Sequence, residues 1–297
     1  MSEPTTGPRP DDAARARAVR STLLLILALN ALVVGVKIVV GLRTDALSVL
    51  GAALESSLDL LNNVVGIALV GLAARGPDED HPYGHAKFET LGALGIVGFL
   101  SISCFELLRE GVRHLISGNQ PRPPSLASML LIGGTMAVNV FVVRYERRRG
   151  QELASPFLLA DAAHTNSDIY VTAAALGSLV LTKFGWGAVD PALAILVALL
   201  IAWNGYKIVR GTVPVLVDER GVDARELRRA ALEVTGVVDV RAARSRRLAS
   251  GLMSAEITIG VGAATSVADA HVVADEVERR VSQQFGATDV LVHVEPA

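Results

Sequence analysis

The sequence predicts an α-helical membrane protein of six transmembrane helices, followed by a small α+β domain. Of the 297 residues, 51% are hydrophobic and only 20% are charged, whereas soluble domains carry about 25% charged residues. The hydrophobic residues form long runs as far as residue 212, and short amphipathic segments replace these runs after residue 217. This composition excludes a disordered chain, a collagen-like chain and an ordinary soluble enzyme.

Residues 1–12 are polar and contain prolines, and we expect them to form a disordered tail. A helix is expected to begin near Ala13. Six apolar segments follow, and each can provide the roughly 20 residues that a bilayer requires. They cover residues 21–42, 46–74, 90–116, 125–143, 154–182 and 190–212. Residues 13–212 are therefore predicted to form one transmembrane domain, and a cleaved secretory signal is not expected.

The basic residues predict how these helices are oriented. Eleven basic residues lie in the tail and loops on one side, and six lie on the other. By the positive-inside rule, this difference places both termini in the cytoplasm. The sequence thus predicts a multi-pass protein with the lipid bilayer as its surroundings.

The last part of the chain predicts a small domain. Residues 213–222 are expected to be a hinge, and residues 223–297 show the order helix–strand–strand–helix–strand. That order suits an α+β domain with helices on one face of a sheet. The single cysteine, Cys104, excludes an intrachain disulfide and a cysteine-rich metal cluster. A net charge of −2 gives no reason to expect nucleic acid as a partner.

Ionisable residues interrupt two of the predicted spans. Glu55 and Asp59 are four residues apart in the second span. Asp161, His164 and Asp168 follow one another at spacings of three and four in the fifth. Each set lies on one helix face. A carboxylate at the bilayer centre costs at least about 2.5 kcal/mol, so these groups should face the bundle interior. They either join the helices through protonated carboxyls and hydrogen bonds, or they bind a metal ion.

The types of side chain favour the metal site. Three carboxylates and one imidazole can complete the tetrahedral set that Zn²⁺ accepts, while the absence of sulfur disfavours Cu(I). A complete set also speaks against a hydrolytic site, which keeps one position open for water. The ligands must lose their protons to bind a cation, so metal and protons should compete. His164 is the first candidate for the proton carrier. Asp161 is expected to pass metal or protons to the site, or to close a water-filled funnel.

The loop at 75–89, RGPDEDHPYGHAKFE, contains a second group of ligand types. His81 and His85 are four residues apart, and Asp78 precedes His81 by three. Histidine and aspartate together predict a second, weaker metal site. The alternative is a solvated loop whose histidines cap the next helix.

Several segments together resemble the cation diffusion facilitator family. They are ALESSLD in the second span, DEDHPYGHAKFETLGAL after it, ADAAHTNSD in the fifth span, VLVDERG after the sixth, and the closing DVLVHVEP. The resemblance extends from about residue 20 to residue 297. It implies a homodimeric exporter of divalent cations, driven by inward proton flow, in the bacterial cytoplasmic membrane. It also implies a ferredoxin-like, metallochaperone-like C-terminal domain that dimerises and can bind metal.

The resemblance assigns roles to residues by position. The transport site would comprise Glu55, Asp59, His164 and Asp168, and the loop site would comprise Asp78, His81 and His85. Lys87 and Asp218 would form a salt bridge. A metal site in the C-terminal domain would comprise His271, His293 and Glu295. Two departures from the family pattern affect these expectations. Glu55 stands where many members have Asp or His, which leaves the metal preference open. Val238 and Glu256 stand where some members have further histidines, which argues against a complete two-metal cluster in the C-terminal domain.

These observations favour a proton-coupled exporter of Zn²⁺, or of Fe²⁺, Co²⁺ or Cd²⁺. Manganese is less expected, because manganese-type members carry a carboxylate in place of His164. The alternative is a membrane-bound metal sensor with little transport, although a sensor does not need four ligands inside the membrane. An enzyme is not expected, because the sequence shows no nucleophile–base pair and no nucleotide-binding loop. We therefore expect no catalytic residues and no cofactor besides the transported cation.

Overall fold

The computed structural model describes residues 10–44, 47–117, 126–183, 189–249, 253–287 and 289–297. The chain divides into two compact units, Met1–Thr212 and Val213–Ala297. Each unit has its own buried apolar core. Most of the expected tail at 1–12 lies outside the described residues.

Six long helices account for the first unit. They are α1 (Pro10–Thr44), α2 (Leu47–Ala73), α3 (Lys87–Ser117), α4 (Leu126–Glu152), α5 (Pro156–Lys183) and α6 (Val189–Leu216). The last of these helices continues into the segment 213–222 that was expected to be a hinge. Five described stretches are long and apolar enough to cross a membrane: Ala13–Arg43, Ser56–Ala73, Lys87–Arg113, Met129–Glu152 and Ala192–Leu216. The remaining helix, α5, has 28 residues and carries the polar group Asp161, His164 and Asp168.

The buried ring of Phe157 connects the start of α5 with α2 and α3. Phe157 is 1% exposed and belongs to the apolar core of the first unit. Glycines face the ring from both neighbouring helices. A Cβ atom at Gly66 would lie 2.2 Å from the ring, and one at Gly92 would lie 2.9 Å from it. The helices approach this closely because both positions lack a side chain, and the contact fixes where α5 begins.

A polar anchor fastens the same end of α5 to α1 and α3. The guanidinium of Arg15 donates to the Glu89 carboxylate at 3.1 Å. The same guanidinium donates to the carbonyl oxygens of Leu153 at 2.7 Å and Ala154 at 3.1 Å, in the turn between α4 and α5. Ser155 also donates to Glu89. We call this set the Arg15–Glu89 anchor. It ties the second turn of α1 and the first turn of α3 to the turn that leads into α5.

The second unit contains two helices and a three-stranded sheet. Its elements are α7 (Ala224–Leu232), β1 (Val237–Arg247), β2 (Met253–Val261), α8 (Val267–Phe285) and β3 (Asp289–Pro296). The strands lie in the order β1-β2-β3, with β1 antiparallel and β3 parallel to β2. The parallel pair requires a crossover, which α8 provides. The helix–strand–strand–helix–strand order confirms the predicted α+β class.

Local sequence explains where the two helices of this unit begin and end. The side chains of Asp223 and Ser266 accept backbone hydrogen bonds at the first turns of α7 and α8. Such caps satisfy donors that have no partner within the helix. Gly286 ends α8 with a φ of 67°, a conformation that glycine adopts without strain. Leu227, Ile259 and other apolar residues fill the core between helices and sheet.

Candidate metal site

Three of the predicted ligands converge between α2 and α5. Asp59, His164 and Asp168 offer ligand atoms that all lie within 4.8 Å of one another. The Nε2 atom of His164 lies 3.3 Å from Oδ1 of Asp59. His164 is 9% exposed, and the side chain of Asp59 is 35% exposed. We call these three residues the α2–α5 cluster.

Helical spacing explains this convergence. His164 and Asp168 are one turn apart on α5, so their side chains leave the same face of the helix. The Nδ1 atom of His164 is buried and has no hydrogen-bond partner among the described residues. The other ring nitrogen, Nε2, faces the carboxylate of Asp59 on α2. The predicted fourth ligand, Glu55, belongs to α2, but its side chain lies outside the part of the chain that the structure describes.

Asp161 is held in an amide network beside the cluster. It is 2% exposed, and its two carboxylate oxygens accept hydrogen bonds from Asn62 and Asn63 at 2.9 Å each. Asn63 in turn accepts a 2.8 Å hydrogen bond from Asn30 on α1. Asp161 also interacts electrostatically with His164. The network holds Asp161 close to the cluster, one helical turn before His164.

A buried glutamate on α4 is a site residue that the sequence did not single out. Glu146 is fully buried, and it interacts electrostatically with Asp161. No other described group donates to either of its carboxylate oxygens, and the side chain that it meets is the carboxyl of Asp161. In the sequence Glu146 stands in YERRRGQE, which looks like a solvated end of the helix. Only its burial distinguishes it, and burial depends on how the helices pack.

The loop between α2 and α3 brings its three predicted ligands together. Ligand atoms of Asp78, His81 and His85 lie within 4.8 Å of one another. Asp78 contacts His81 Nδ1 at 3.1 Å through Oδ1 and His85 Nε2 at 3.2 Å through Oδ2. The local turn depends on Gly84, whose φ of 80° suits glycine and whose N–H donates to the His81 carbonyl.

The contacts of this loop also suit a cation. When His85 Nδ1 donates to the Gly76 carbonyl at 3.1 Å, the neutral ring directs its Nε2 lone pair at Asp78. A cation between these groups would remove the repulsion between this lone pair and the Asp78 carboxylate. Desolvation opposes ionisation of Asp78, but hydrogen bonds from the backbone N–H and ring of His81 hold the pKa of this carboxyl below its usual range.

The candidate ligands of the C-terminal domain are less well assembled. His271 lies 3.8 Å from Asp275, its neighbour on α8. On β3, His293 lies 3.6 Å from Glu295, and Glu295 accepts a hydrogen bond from Arg241. Among the described residues these candidates form no group of three within ligand distance of one another.

The predicted salt bridge between Lys87 and Asp218 would join the two units. Lys87 begins α3 in the first unit. Asp218 belongs to the second unit, where it lies 3.8 Å from Arg246. The salt bridge remains a prediction.

Comparison with known proteins follows this division of the chain. The family model of the cation efflux transmembrane domain matches residues 23–217, and that of the cytoplasmic domain of cation efflux proteins matches residues 220–297. The manganese efflux system protein MneS of Bacillus subtilis is 25% identical over 264 residues, covering 88% of this chain and 90% of that protein. The cation-efflux pump FieF of Serratia proteamaculans is 27% identical over 285 residues, covering 95% of this chain and 94% of that protein.

Similarity to the solved MamM structures is limited to a quarter of the chain. The match to the structure of the MamM C-terminal domain has 26% sequence identity and a TM-score of 0.24. It covers 25% of this chain and 92% of the MamM chain. The two family models together match most of both units, and the residues of the α2–α5 cluster and of the loop group fall within the range 23–217. The chain is thus a multi-pass membrane transporter rather than an enzyme, and it belongs to the cation efflux family.

Proposed function

We propose that this protein exports divalent metal cations from the cytoplasm in exchange for protons. The observation that supports this proposal is the convergence of Asp59, His164 and Asp168 between two helices of the membrane unit. Ionisable groups inside a membrane protein are costly, and they usually mark the path of an ion or a proton. We assign the α2–α5 cluster, with Glu55 as the fourth ligand, to binding the transported cation.

The spacing of the cluster suits a single bound cation. Two ligand atoms that each lie about 2.1 Å from a tetrahedral Zn²⁺ are about 3.4 Å apart. His164 Nε2 and Asp59 Oδ1 are 3.3 Å apart, so an ion fits between them with little movement of either helix. A histidine–aspartate hydrogen bond would give a similar distance. A transport measurement is therefore needed to separate an ion site from a structural contact.

Proton exchange follows from the chemistry of the ligands. Carboxylates and imidazole bind a cation only when they are deprotonated, so protons and metal exclude each other. In alternating access, the cluster would take up metal on the cytoplasmic side and release it outside, where protons replace it. His164 is our first candidate among the ligands for carrying a proton on the return step. Exchange of two protons for one divalent cation would move no net charge.

The ligand set supports Zn²⁺ as the preferred cation, with Fe²⁺, Co²⁺ and Cd²⁺ as further substrates. Imidazole with carboxylates is a common zinc set. Manganese is the main competitor, because MneS of Bacillus subtilis, a relative over most of the chain, is named a manganese efflux system protein. A sulfur ligand is absent from all the predicted positions, which disfavours Cu(I).

The proposal includes the wider arrangement of the protein. We place it in the bacterial cytoplasmic membrane with both termini in the cytoplasm, on the distribution of basic residues. We propose a homodimer joined through the second unit, which matches the cytoplasmic domain of cation efflux proteins. The loop ligands Asp78, His81 and His85 would form a second, weaker cation site, and His271, His293 and Glu295 a third.

Transport in proteoliposomes tests this proposal. The full-length protein would be reconstituted with a metal-sensitive dye and a pH dye inside the vesicles, and Zn²⁺, Mn²⁺, Fe²⁺, Co²⁺ and Cd²⁺ would be added separately. We expect metal entry with opposite proton movement, and loss of both in Asp59→Asn and His164→Ala. Glu152→Gln is the matched control, because Glu152 is an exposed carboxylate that pairs with Arg148 and Arg149.

Two results would contradict the proposal. Wild-type protein that binds metal but moves none would favour a membrane-bound sensor. Variants of the α2–α5 cluster that transport as fast as Glu152→Gln would show that the cluster is structural. The order of transport rates among the five metals would identify the preferred substrate, whether that is zinc or manganese.

A further inference from the structure

We propose that Glu146 and Asp161 form a proton-binding site separate from the metal ligands, and that the Glu146 proton leaves when a cation enters the α2–α5 cluster. This inference rests on the proposed function, because it concerns the same exchange. It assigns one of the exchanged protons to a residue that touches no metal.

Glu146 lacks the partners that an ionised carboxylate needs. The residue is 0% exposed, no other described group donates to either carboxylate oxygen, and the side chain that it meets is another carboxyl, that of Asp161. A buried charge without compensation is strongly unfavourable, and such a group keeps its proton instead. Asp161, which is 2% exposed, interacts with Glu146 from α5. Two neighbouring carboxylates in such surroundings cannot both be ionised.

The amide network decides which of the two carboxyls holds the proton. Asn62 and Asn63 each donate an N–H to Asp161 at 2.9 Å. The Asn63 amide cannot turn around without losing its contact with Asn30, which donates to its oxygen at 2.8 Å. Both carboxylate oxygens of Asp161 thus face fixed donors, which stabilise the ionised form. The proton therefore belongs on Glu146.

The charged groups near Glu146 leave Asp161 as its principal electrostatic partner. One turn further along α4, Arg149 donates to Glu152 at 2.7 Å. From α1, which also packs against α4, Arg15 donates to Glu89. Both arginines are thus engaged by other carboxylates.

Asp161 connects this carboxyl pair with the metal ligands. It lies one helical turn before His164, and it interacts electrostatically with both His164 and Asp59. A divalent cation in the cluster places positive charge beside Asp161. This charge offsets the repulsion between Asp161 and an ionised Glu146, so the Glu146 proton can leave. When a proton returns to Glu146, its negative charge is lost, the bound cation no longer offsets a repulsion between the two carboxyls, and the cation is held less tightly.

Proton release on metal binding tests the inference. Full-length protein in lipid nanodiscs would be titrated with Zn²⁺ in weak buffer containing a pH dye, and protons released per bound ion would be counted. We expect Glu146→Gln, which keeps the shape but cannot ionise, to release one proton fewer than wild type. Glu146→Asp restores an ionisable group and should release as many protons as wild type. Glu226→Gln, at an exposed glutamate of α7, is the control for glutamate replacement, because it leaves the Arg149–Glu152 pair intact.

Infrared difference spectra provide a second readout that does not depend on counting released protons. Zn²⁺ should remove the carbonyl-stretch band of a protonated carboxyl from the wild-type spectrum, and the change should be smaller in Glu146→Gln. Equal proton release by wild type and Glu146→Gln would overturn this inference and leave the proposed exchange intact. A wild-type protein that binds Zn²⁺ without releasing protons or losing the band would overturn both.

Discussion

Replacing Arg15 by alanine should destabilise the membrane unit more than replacing any exposed arginine of α1. The side chain of Glu89 is 4% exposed, and Arg15 is the cation that compensates its charge at 3.1 Å. Removing one partner of a buried ion pair typically costs about 3–5 kcal/mol, because the other charge is left uncompensated. The side chain of Arg15 is itself 24% exposed, so water can reach part of the site. We therefore expect a loss of about 3 kcal/mol in the free energy of unfolding.

A double variant separates the charge from the shape of the anchor. Glu89→Gln removes the buried charge while keeping an oxygen that can accept from Ser155. In an Arg15→Ala/Glu89→Gln protein, we expect about half of the lost stability to return. The remainder reflects the hydrogen bonds from Arg15 to the carbonyls of Leu153 and Ala154, which are worth about 0.5–1.5 kcal/mol each.

The assay is denaturant unfolding of the full-length protein in mixed micelles. Arg17→Ala is the control, because Arg17 is exposed and donates within its own helix to Ala13. Its effect should stay within about 0.5 kcal/mol. An Arg15→Ala protein within about 1 kcal/mol of wild type, or a double variant no more stable than Arg15→Ala, would refute the reasoning.

Three further substitutions test other parts of the structure. Gly66→Ala would place a methyl group 2.2 Å from the Phe157 ring and should cost about 1–3 kcal/mol of unfolding free energy. Adding Phe157→Leu to the same chain should recover most of the lost stability. A double variant as unstable as Gly66→Ala would exclude the clash as the cause. Asp78→Asn removes the carboxylate that contacts both loop histidines, so equilibrium binding of Zn²⁺ to the loop should weaken while transport at saturating Zn²⁺ continues; unchanged binding would argue against the loop site. Burial raises the pKa of Glu278, and the opposing hydrogen bond from the Val292 N–H does not cancel this effect. The stabilisation from the protonated form of Glu278 is therefore complete in acid and is lost as pH rises through the raised pKa. Glu278→Gln should therefore slow hydrogen exchange of the β3 amides near neutral pH and leave it unchanged in acid, and faster exchange at neutral pH would contradict the sign.

The α2–α5 cluster was predictable because the membrane restricts where charges can lie. Residues four apart share a helix face, and charged groups in lipid must face the interior of the bundle. These two rules bring Asp59 together with His164 and Asp168 without knowledge of the packing. The loop ligands were predictable for a simpler reason, because they lie within eight residues of one another.

Other parts of the site depend on packing that the sequence does not display. Glu146 stands among arginines at a polar helix end, and it is buried only because α4 packs against α5. Glu89 was visible only as part of a family motif, and its partner Arg15 lies 74 positions away along the chain. In the second unit, sheet register gives Glu295 an arginine partner. Long-range contacts of this kind follow from tertiary structure, not from local pattern.

The account depends most on the assignment of the α2–α5 cluster as the site of the transported cation. The most direct test is a structure of the full-length protein determined with and without saturating Zn²⁺. We expect difference density for one ion about 2.0–2.2 Å from ligand atoms of Asp59, His164 and Asp168, and its loss in His164→Ala. Zn²⁺ bound at the Asp78 loop or in the C-terminal domain, with no ion between α2 and α5, would contradict the assignment.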